Sequence, residues 1–218
     1  MKILRFYILY RLPIIALLVI LGVLSQVLNK DLITAWICYI LAFFSLLLYF
    51  LMGTMRLVQE AVSEGEVEKA TEYIKMIKFP RLLLKPIRSG YYMLQSNLSL
   101  ATDDLTSAEA SIRKSLNTKS KIVGDVTGTN LMQLGFIQLK QGKTKEARQT
   151  LLDAVKAGIP DKDSMAAVHL QLCSIEIQRK QNKIGKEHFR KAKALKPKAE
   201  EIVKQLNMME KNIARLPG

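Results

Sequence analysis

The sequence predicts an all-α protein in which a transmembrane helical hairpin precedes an α-solenoid of paired helices and a C-terminal capping helix. Three observations predict this class. Two long apolar stretches lie near the N-terminus, at residues 6–28 and 32–55. Beyond them, apolar residues recur at intervals of three and four, as in an α-helix, and no segment alternates as a strand does. The same helical pattern then returns about every 38 residues, which is a period typical of repeat proteins.

The apolar stretches are long enough to span a bilayer. Residues 32–55 contain no charged side chain. A helix of this length rises about 36 Å and can cross a hydrocarbon core of about 30 Å with some tilt. The first stretch is interrupted only by Arg11, about one turn from its start, where a long side chain can reach the headgroups. We therefore predict a membrane anchor over residues 1–57 and a water-soluble repeat domain over residues 58–218.

The charges around the hairpin predict its orientation. Residues 29–31 are Asn-Lys-Asp and form a predicted turn without net charge. The basic residues lie instead at the opposite ends of the two spans, at Lys2, Arg5, Arg11 and Arg56. Because basic residues are retained in the cytoplasm, both termini are expected there, in a bacterial inner membrane. No small-residue cleavage site follows the first apolar core, which argues against a cleaved signal peptide.

The chain is strongly basic, with a formal net charge of +14. Residues 58–218 hold 28 Lys and Arg against 18 Asp and Glu. Such a domain can lie against anionic lipid, bind an acidic protein or nucleic acid, or present a solvated surface, and the sequence leaves these alternatives open. No RNA-reading motif or aromatic–basic stripe is present, so nucleic acid is the least favoured partner.

The soluble domain repeats one helical pattern four times. A small residue is followed four positions later by a large apolar residue, and three positions after that by a small or apolar one. Successive copies start 38, 39 and 38 positions apart. They are Ala70-Ile74-Ile77, Ala108-Ile112-Ser115, Ala147-Leu151-Ala154 and Gly185-Phe189-Ala192. A purely helical repeat of this length is typical of stacked helix pairs.

The third copy and its surroundings, residues 130–160, resemble a tetratricopeptide repeat (TPR). Leu134 and Gly135 stand at the Leu-Gly pair of helix A, Gly142 at the turn glycine, and the third copy itself at the packing positions of helix B. The fourth copy is similar to the family as well. The resemblance implies that small residues let helices A and B approach closely, while the large residue fills the gap between neighbouring repeats.

Two predicted helices adjoin the repeats. Helix A of the first copy is expected to continue directly from the second span, which would couple the domain to the membrane. After Pro197, residues 198–215 predict one more amphipathic helix. Its apolar face carries Ile202, Leu206, Met209 and Ile213. Such a helix closes the open end of a repeat stack, and a basic helix lying on lipid is the alternative.

We find no motif for catalysis, for a cofactor or for a metal, and we predict a protein that is not an enzyme and binds no cofactor. His169 and His188 lack further ligands at metal-binding spacing and are expected to be ordinary surface residues. No glycine-rich phosphate loop is present. Cys38 and Cys173 lie in different parts of the chain and are expected to be small buried residues without a disulfide.

The resemblance also implies a partner-binding groove, because TPR proteins often bind a peptide or helix on the surface lined by helix A. The implied positions are Met93, Asn97, Met132, Phe136, Lys140, Leu170, Ser174 and Gln178. A carboxylate clamp is disfavoured because Met93 stands where a lysine is expected, so an apolar helix is the favoured ligand. The alternative is that Met132 and Phe136 pack against neighbouring repeats.

These features predict a membrane-anchored scaffold or adaptor that positions a protein partner at the cytoplasmic face. The alternative is an accessory structural subunit of a larger membrane protein complex, held mainly through its two spans. Docking of ribosomal or other RNA ranks third.

Overall fold

The computed structural model describes residues 7, 10–28, 32–52, 54–118 and 126–214. These residues form eleven α-helices, one short 3-10 helix at Pro80–Leu82 and no β-strand, which confirms the all-α class for the described part of the chain. The α-helices are α1 (Arg11–Leu28), α2 (Leu32–Met52), α3 (Met55–Ser63), α4 (Val67–Lys75), α5 (Lys85–Ala101), α6 (Leu105–Asn117), α7 (Thr127–Lys140), α8 (Thr144–Ala157), α9 (Lys162–Gln178), α10 (Asn182–Ala194) and α11 (Glu200–Ile213).

The chain divides into two compact units, Met1–Thr102 and Asp103–Gly218. The first unit contains α1 to α5, and the second contains α6 to α11. Helices α3, α4 and α5 therefore share a unit with the apolar hairpin, while the anchor boundary at residue 57 stays a prediction. The predicted hairpin turn at residues 29–31 and the basic residues Lys2 and Arg5 lie outside the described residues.

Small side chains join α1 to α2. Ala35 and Ala42 are buried between the helices, and Gly22 lies so close to Tyr39 that an added Cβ would fall 2.6 Å from a ring carbon. The Tyr39 hydroxyl donates to Oε1 of Gln26 at 3.2 Å. The large apolar side chains face away from the protein, since only 11% of each helix's apolar window is buried. Both helices are long and apolar enough to cross a membrane.

The predicted continuous helix from the second span into the first repeat is wrong. Helix α2 ends at Met52, and α3 begins at Met55. Thr54 has φ −100° and ψ 17°, outside the helical region, and its hydroxyl donates to the carbonyl oxygen of Tyr73 at 2.7 Å. A tertiary hydrogen bond to α4 therefore holds the chain at the point where the helices separate.

Each unit has its own apolar core. In the first unit, α3, α4 and α5 bury a cluster that includes Leu57, Val58, Ala70, Leu83 and Tyr91. In the second unit, α7 packs on α8 and α9 packs on α10, while α11 covers both members of the last pair. Its predicted apolar face is confirmed, because Leu206 and Ile213 are buried there and Ile202 and Met209 pack against the same cluster.

The turns that precede the four copies of the pattern repeat with the period of the sequence. One residue in each turn has a left-handed backbone. These residues are Gly65 (φ 76°), Asp103 (φ 58°), Gly142 (φ 76°) and Lys180 (φ 62°). Each of the four small residues that open the sequence pattern donates its backbone N–H to the residue four positions earlier. The left-handed turn thus recurs before every copy. Packed helix pairs are formed by α3 with α4, by α7 with α8 and by α9 with α10, whereas α5 and α6 belong to different units. A fourth pair and the stacking of all pairs into one solenoid stay predictions.

Candidate partner-binding surface

The eight predicted groove residues lie on helices of both units. Met93 and Asn97 are on α5 in the first unit, and the other six are on α7 and α9 in the second. Asn97, Lys140 and Gln178 are exposed, and Met93 and Ser174 are partly exposed. A single groove running through all eight positions therefore stays a prediction, and the arrangement of each unit is described by itself.

Two of the predicted residues take part in packing within the second unit. Met132 and Phe136 are partly buried and lie against a core formed by α8 and α9, which includes Leu151, Val168 and Leu172. Each of the two side chains keeps some accessible surface. They support the neighbouring helix pair while part of each side chain remains open to a ligand.

Leu170 has no surface left for a partner in this conformation. It is 1% exposed and belongs to a cluster with Phe189 of α10 and with Leu206 and Ile213 of α11. The C-terminal helix thus covers the position that the TPR resemblance assigns to a ligand. Any groove on the second unit is confined to the remaining part of α9 and to α7.

A buried carboxylate joins the third and fourth helix pairs. Glu176 on α9 is 0% exposed and accepts a hydrogen bond from Nε of Arg148 on α8. Its other oxygen accepts from Nη1 of Arg179 at 3.0 Å. A buried charge is tolerated only when it is paired and hydrogen-bonded. Neither the acid nor its partners were candidates from the sequence.

A second acidic residue links α6 to the third pair. Glu109 accepts from Nζ of Lys143 at 2.9 Å and from Nη2 of Arg113 at 2.6 Å. The Lys143 bond, followed by Arg113 and Gln141, lowers the pKa of Glu109 to about 2. Lys143 belongs to the turn between α7 and α8, so this ion pair holds that turn against α6.

The prediction that both histidines are ordinary surface residues is wrong. His169 on α9 and His188 on α10 are 6% and 9% exposed, and their Nδ1 atoms lie 3.1 Å apart. Burial lowers the pKa of both imidazoles, and that of His169 falls to about 4. Both rings are therefore neutral at pH 7, and one Nδ1–H donates to the other Nδ1.

The described residues contain no group of three or more His, Cys, Asp and Glu side chains that could hold a metal ion. Cys38 and Cys173 are free. Cys173 is buried as expected, whereas Cys38 on α2 is only partly buried, so the expected burial of Cys38 is wrong. Burial raises the pKa of the Cys173 thiol to about 11, so the thiol is protonated and unreactive at neutral pH.

The Arg11 side chain does not take the conformation expected for it, in which it would reach the lipid headgroups. It is the first residue of α1, is 7% exposed, and places its guanidinium 5.1 Å from the centre of the Tyr7 ring. The side chain is therefore held within the protein, where a cation–π contact offsets part of its charge burial, and does not extend freely toward the headgroups.

Comparison with known proteins adds no assignment, because neither a known family model nor a curated protein matches the chain.

Proposed function

We propose that this protein is a membrane-anchored helical-repeat adaptor that holds a protein partner at the cytoplasmic face of a bacterial inner membrane. The observation that carries the proposal is the outward orientation of the apolar side chains on α1 and α2. A core helix of a soluble protein would bury most of its apolar window, but only 11% is buried here. So large an exposed apolar surface requires lipid or another apolar partner.

The repeated small-residue packing supports the adaptor role. An added Cβ at Gly135 would lie 2.5 Å from Leu151, and one at Gly185 would lie 2.9 Å from Ile177. This close approach is what the TPR resemblance implies for helices A and B. Proteins built from such pairs serve mainly as binding surfaces. On α7, the accessible parts of Met132 and Phe136 and the exposed Lys140 favour an amphipathic helix that carries an acidic residue.

Site-specific photocross-linking in the native host tests the partner site. A photoreactive phenylalanine analogue replaces Phe136 in the full-length chain, and a matched variant carries it at Met208, which is exposed on α11. We expect a discrete protein adduct from position 136 and none from position 208. Identical adducts at both positions, or none at position 136, would refute the proposed site.

Chemical labelling tests the topology. A Met208→Cys variant on a Cys38→Ala background should react with a membrane-impermeant maleimide in inverted inner-membrane vesicles and resist it in right-side-out spheroplasts. Because native Cys173 is buried, it should contribute little background signal.

An accessory subunit of a larger membrane complex is the second candidate. The exposed aromatic side chains of α2, among them Trp36, Phe43 and Phe44, favour it because they offer surface for other membrane helices. Replacing α1 and α2 with an unrelated apolar hairpin distinguishes the two candidates. An adaptor should retain its partner after the exchange, whereas an accessory subunit should lose its complex.

A further inference from the structure

The chain between α4 and α5 lies at the end of the second apolar helix. We call residues 75–88 the junction segment. The backbone N–H of Leu84 donates to the carbonyl oxygen of Leu51 at 3.1 Å, and the Phe79 ring lies 6.3 Å from that of Phe50. Leu51 is also the last residue of the apolar span. If α2 crosses a membrane as proposed above, the junction segment is held at the level of the lipid headgroups.

The junction segment is fixed in place and presents apolar side chains outward. Leu83 is buried in the core of the first unit and anchors the segment from within. Arg88 donates to the carbonyl oxygens of Arg81 and Leu83, the latter at 2.9 Å, and so braces the 3-10 turn. The outward apolar side chains are Met76, Phe79, Leu82 and Leu84, which are 44–58% exposed.

The charged residues in the junction segment are all basic. Residues 73–102 contain no Asp or Glu, and all five of their basic residues lie within the junction segment. Four of these are exposed, at Lys75, Lys78, Arg81 and Lys85. Among the described residues, none of the four forms a salt bridge. Exposed apolar side chains interleaved with unpaired cations are what an interfacial membrane-binding segment requires.

We infer that the junction segment is a second membrane contact, which inserts Phe79 and Leu82 among anionic phospholipids and places Lys78, Arg81 and Lys85 on their phosphates. The inference rests on the proposed anchoring of α1 and α2. It extends that proposal, because the first unit would then be oriented on the bilayer by three elements and could not swing about the end of α2.

Tryptophan fluorescence of the full-length protein in lipid vesicles tests this inference. Trp36 is the only tryptophan and lies on α2, so the unmodified protein reports on the anchor. A Trp36→Phe/Phe79→Trp variant reports on the junction segment. A Trp36→Phe/Met208→Trp variant is the matched control, since Phe79 and Met208 are 58% and 53% exposed. Brominated lipid quenches from within the bilayer, and acrylamide quenches from the water.

In vesicles that contain phosphatidylglycerol, brominated lipid should quench the Phe79→Trp reporter. Acrylamide should quench this reporter about three-fold less than the Met208→Trp control, because the ring is shielded by lipid. Adding K78E, R81E and K85E should raise acrylamide quenching of the Phe79→Trp reporter about two-fold. K145E, K183E and K204E make the same charge change on exposed residues of the second unit and should leave that quenching unchanged.

Quenching of Trp36 by brominated lipid, together with equal acrylamide access at positions 79 and 208, would overturn the inference and leave the anchor intact. The basic face would then be free for a soluble polyanion such as RNA. Failure of brominated lipid to quench Trp36 would overturn the anchoring proposal and this inference with it.

Discussion

The first unit leaves the apolar side chains of two helices uncovered, whereas the second unit covers nearly all of its own. Leu17, Leu41 and Phe44 of the hairpin are more than half exposed. In the second unit, Leu151 and Leu172 are fully buried. Leucine is thus exposed in the hairpin helices and buried in the second unit. The difference follows from the charged and polar residues that separate the apolar ones in the helices of the second unit. Where charged residues interrupt the apolar ones at helical spacing, a water-facing surface forms opposite a core.

The largest effect is expected from cutting back a side chain in the second unit. Leu151→Ala should lower the free energy of unfolding by about 3 kcal/mol, because it leaves a cavity in a closely packed core. Leu41→Ala removes the same atoms from an exposed position on α2 and should change the free energy of unfolding by less than about 0.5 kcal/mol. Thermal unfolding of the full-length protein in mild detergent, followed by far-ultraviolet circular dichroism, measures both.

Equal losses from the two alanine variants would show that the hairpin surface is packed as tightly as the core. That result would contradict the contrast between the units.

A smaller effect is expected at the ion pair between the third and fourth helix pairs. Arg148→Met should destabilise the protein by about 2 kcal/mol, because Glu176 stays buried and loses one of its two described cationic partners, keeping Arg179. The control is Lys69→Met in the first unit, whose salt bridge to Glu66 is exposed and should contribute less than about 0.5 kcal/mol. The same unfolding measurement applies.

A double variant, Arg148→Met/Glu176→Met, separates pairing from packing. It should recover at least part of the lost stability because no buried charge remains. A double variant that is less stable than Arg148→Met alone would contradict this account.

The smallest effect is a pH dependence from the histidine pair. His169 and His188 have lowered pKa values in the folded protein, with that of His169 at about 4, so the unfolded chain binds protons more readily below about pH 6.5. Stability should therefore fall as the pH drops from about 6.5 toward 4, by on the order of 1 kcal/mol between pH 7 and pH 5. Thermal unfolding at a series of pH values measures the slope.

The charged groups around the pair are Lys191, which disfavours protonation of both rings, and Glu187, Glu176 and Arg148, which act on His188. A His169→Gln/His188→Gln variant should lose most of the slope between pH 7 and pH 5. Glu109 interferes little, because its stabilising contribution is lost mainly as the pH falls from its ordinary pKa of 4.5 to its folded pKa of about 2, which is below the range measured. Persistence of the full slope in the double variant would show that other groups cause it.

Much of the fold follows from local pattern. The two apolar helices, the helices that carry the four copies of the pattern and the apolar face of α11 could be predicted because each depends on residue spacing along one helix. Burial of His188 was missed, although a signal existed. His188 lies on the same helical stripe as Gly185, Phe189 and Ala192, all of which are buried.

Other features depend on partners that are distant in sequence. The separation of α2 from α3 involves a hydrogen bond from Thr54 to Tyr73, and no local pattern indicates it. The burial of Glu176 depends on Arg148, which is 28 positions away. For the candidate groove, the sequence could place residues on helix A. It could not reveal that α11 packs over Leu170 and buries its side chain.

The charged links between helix pairs also bear on how such an array can evolve. Glu109 and Arg148 occupy equivalent positions in successive copies, yet one is an acid that contacts Lys143 and the other is a base that contacts Glu176. Duplicating, deleting or exchanging one copy would bring like charges together or leave a buried carboxylate without its cationic partner. The number and order of the copies are therefore constrained by chemistry, and new variants should arise more readily by substitution than by recombination of whole repeats.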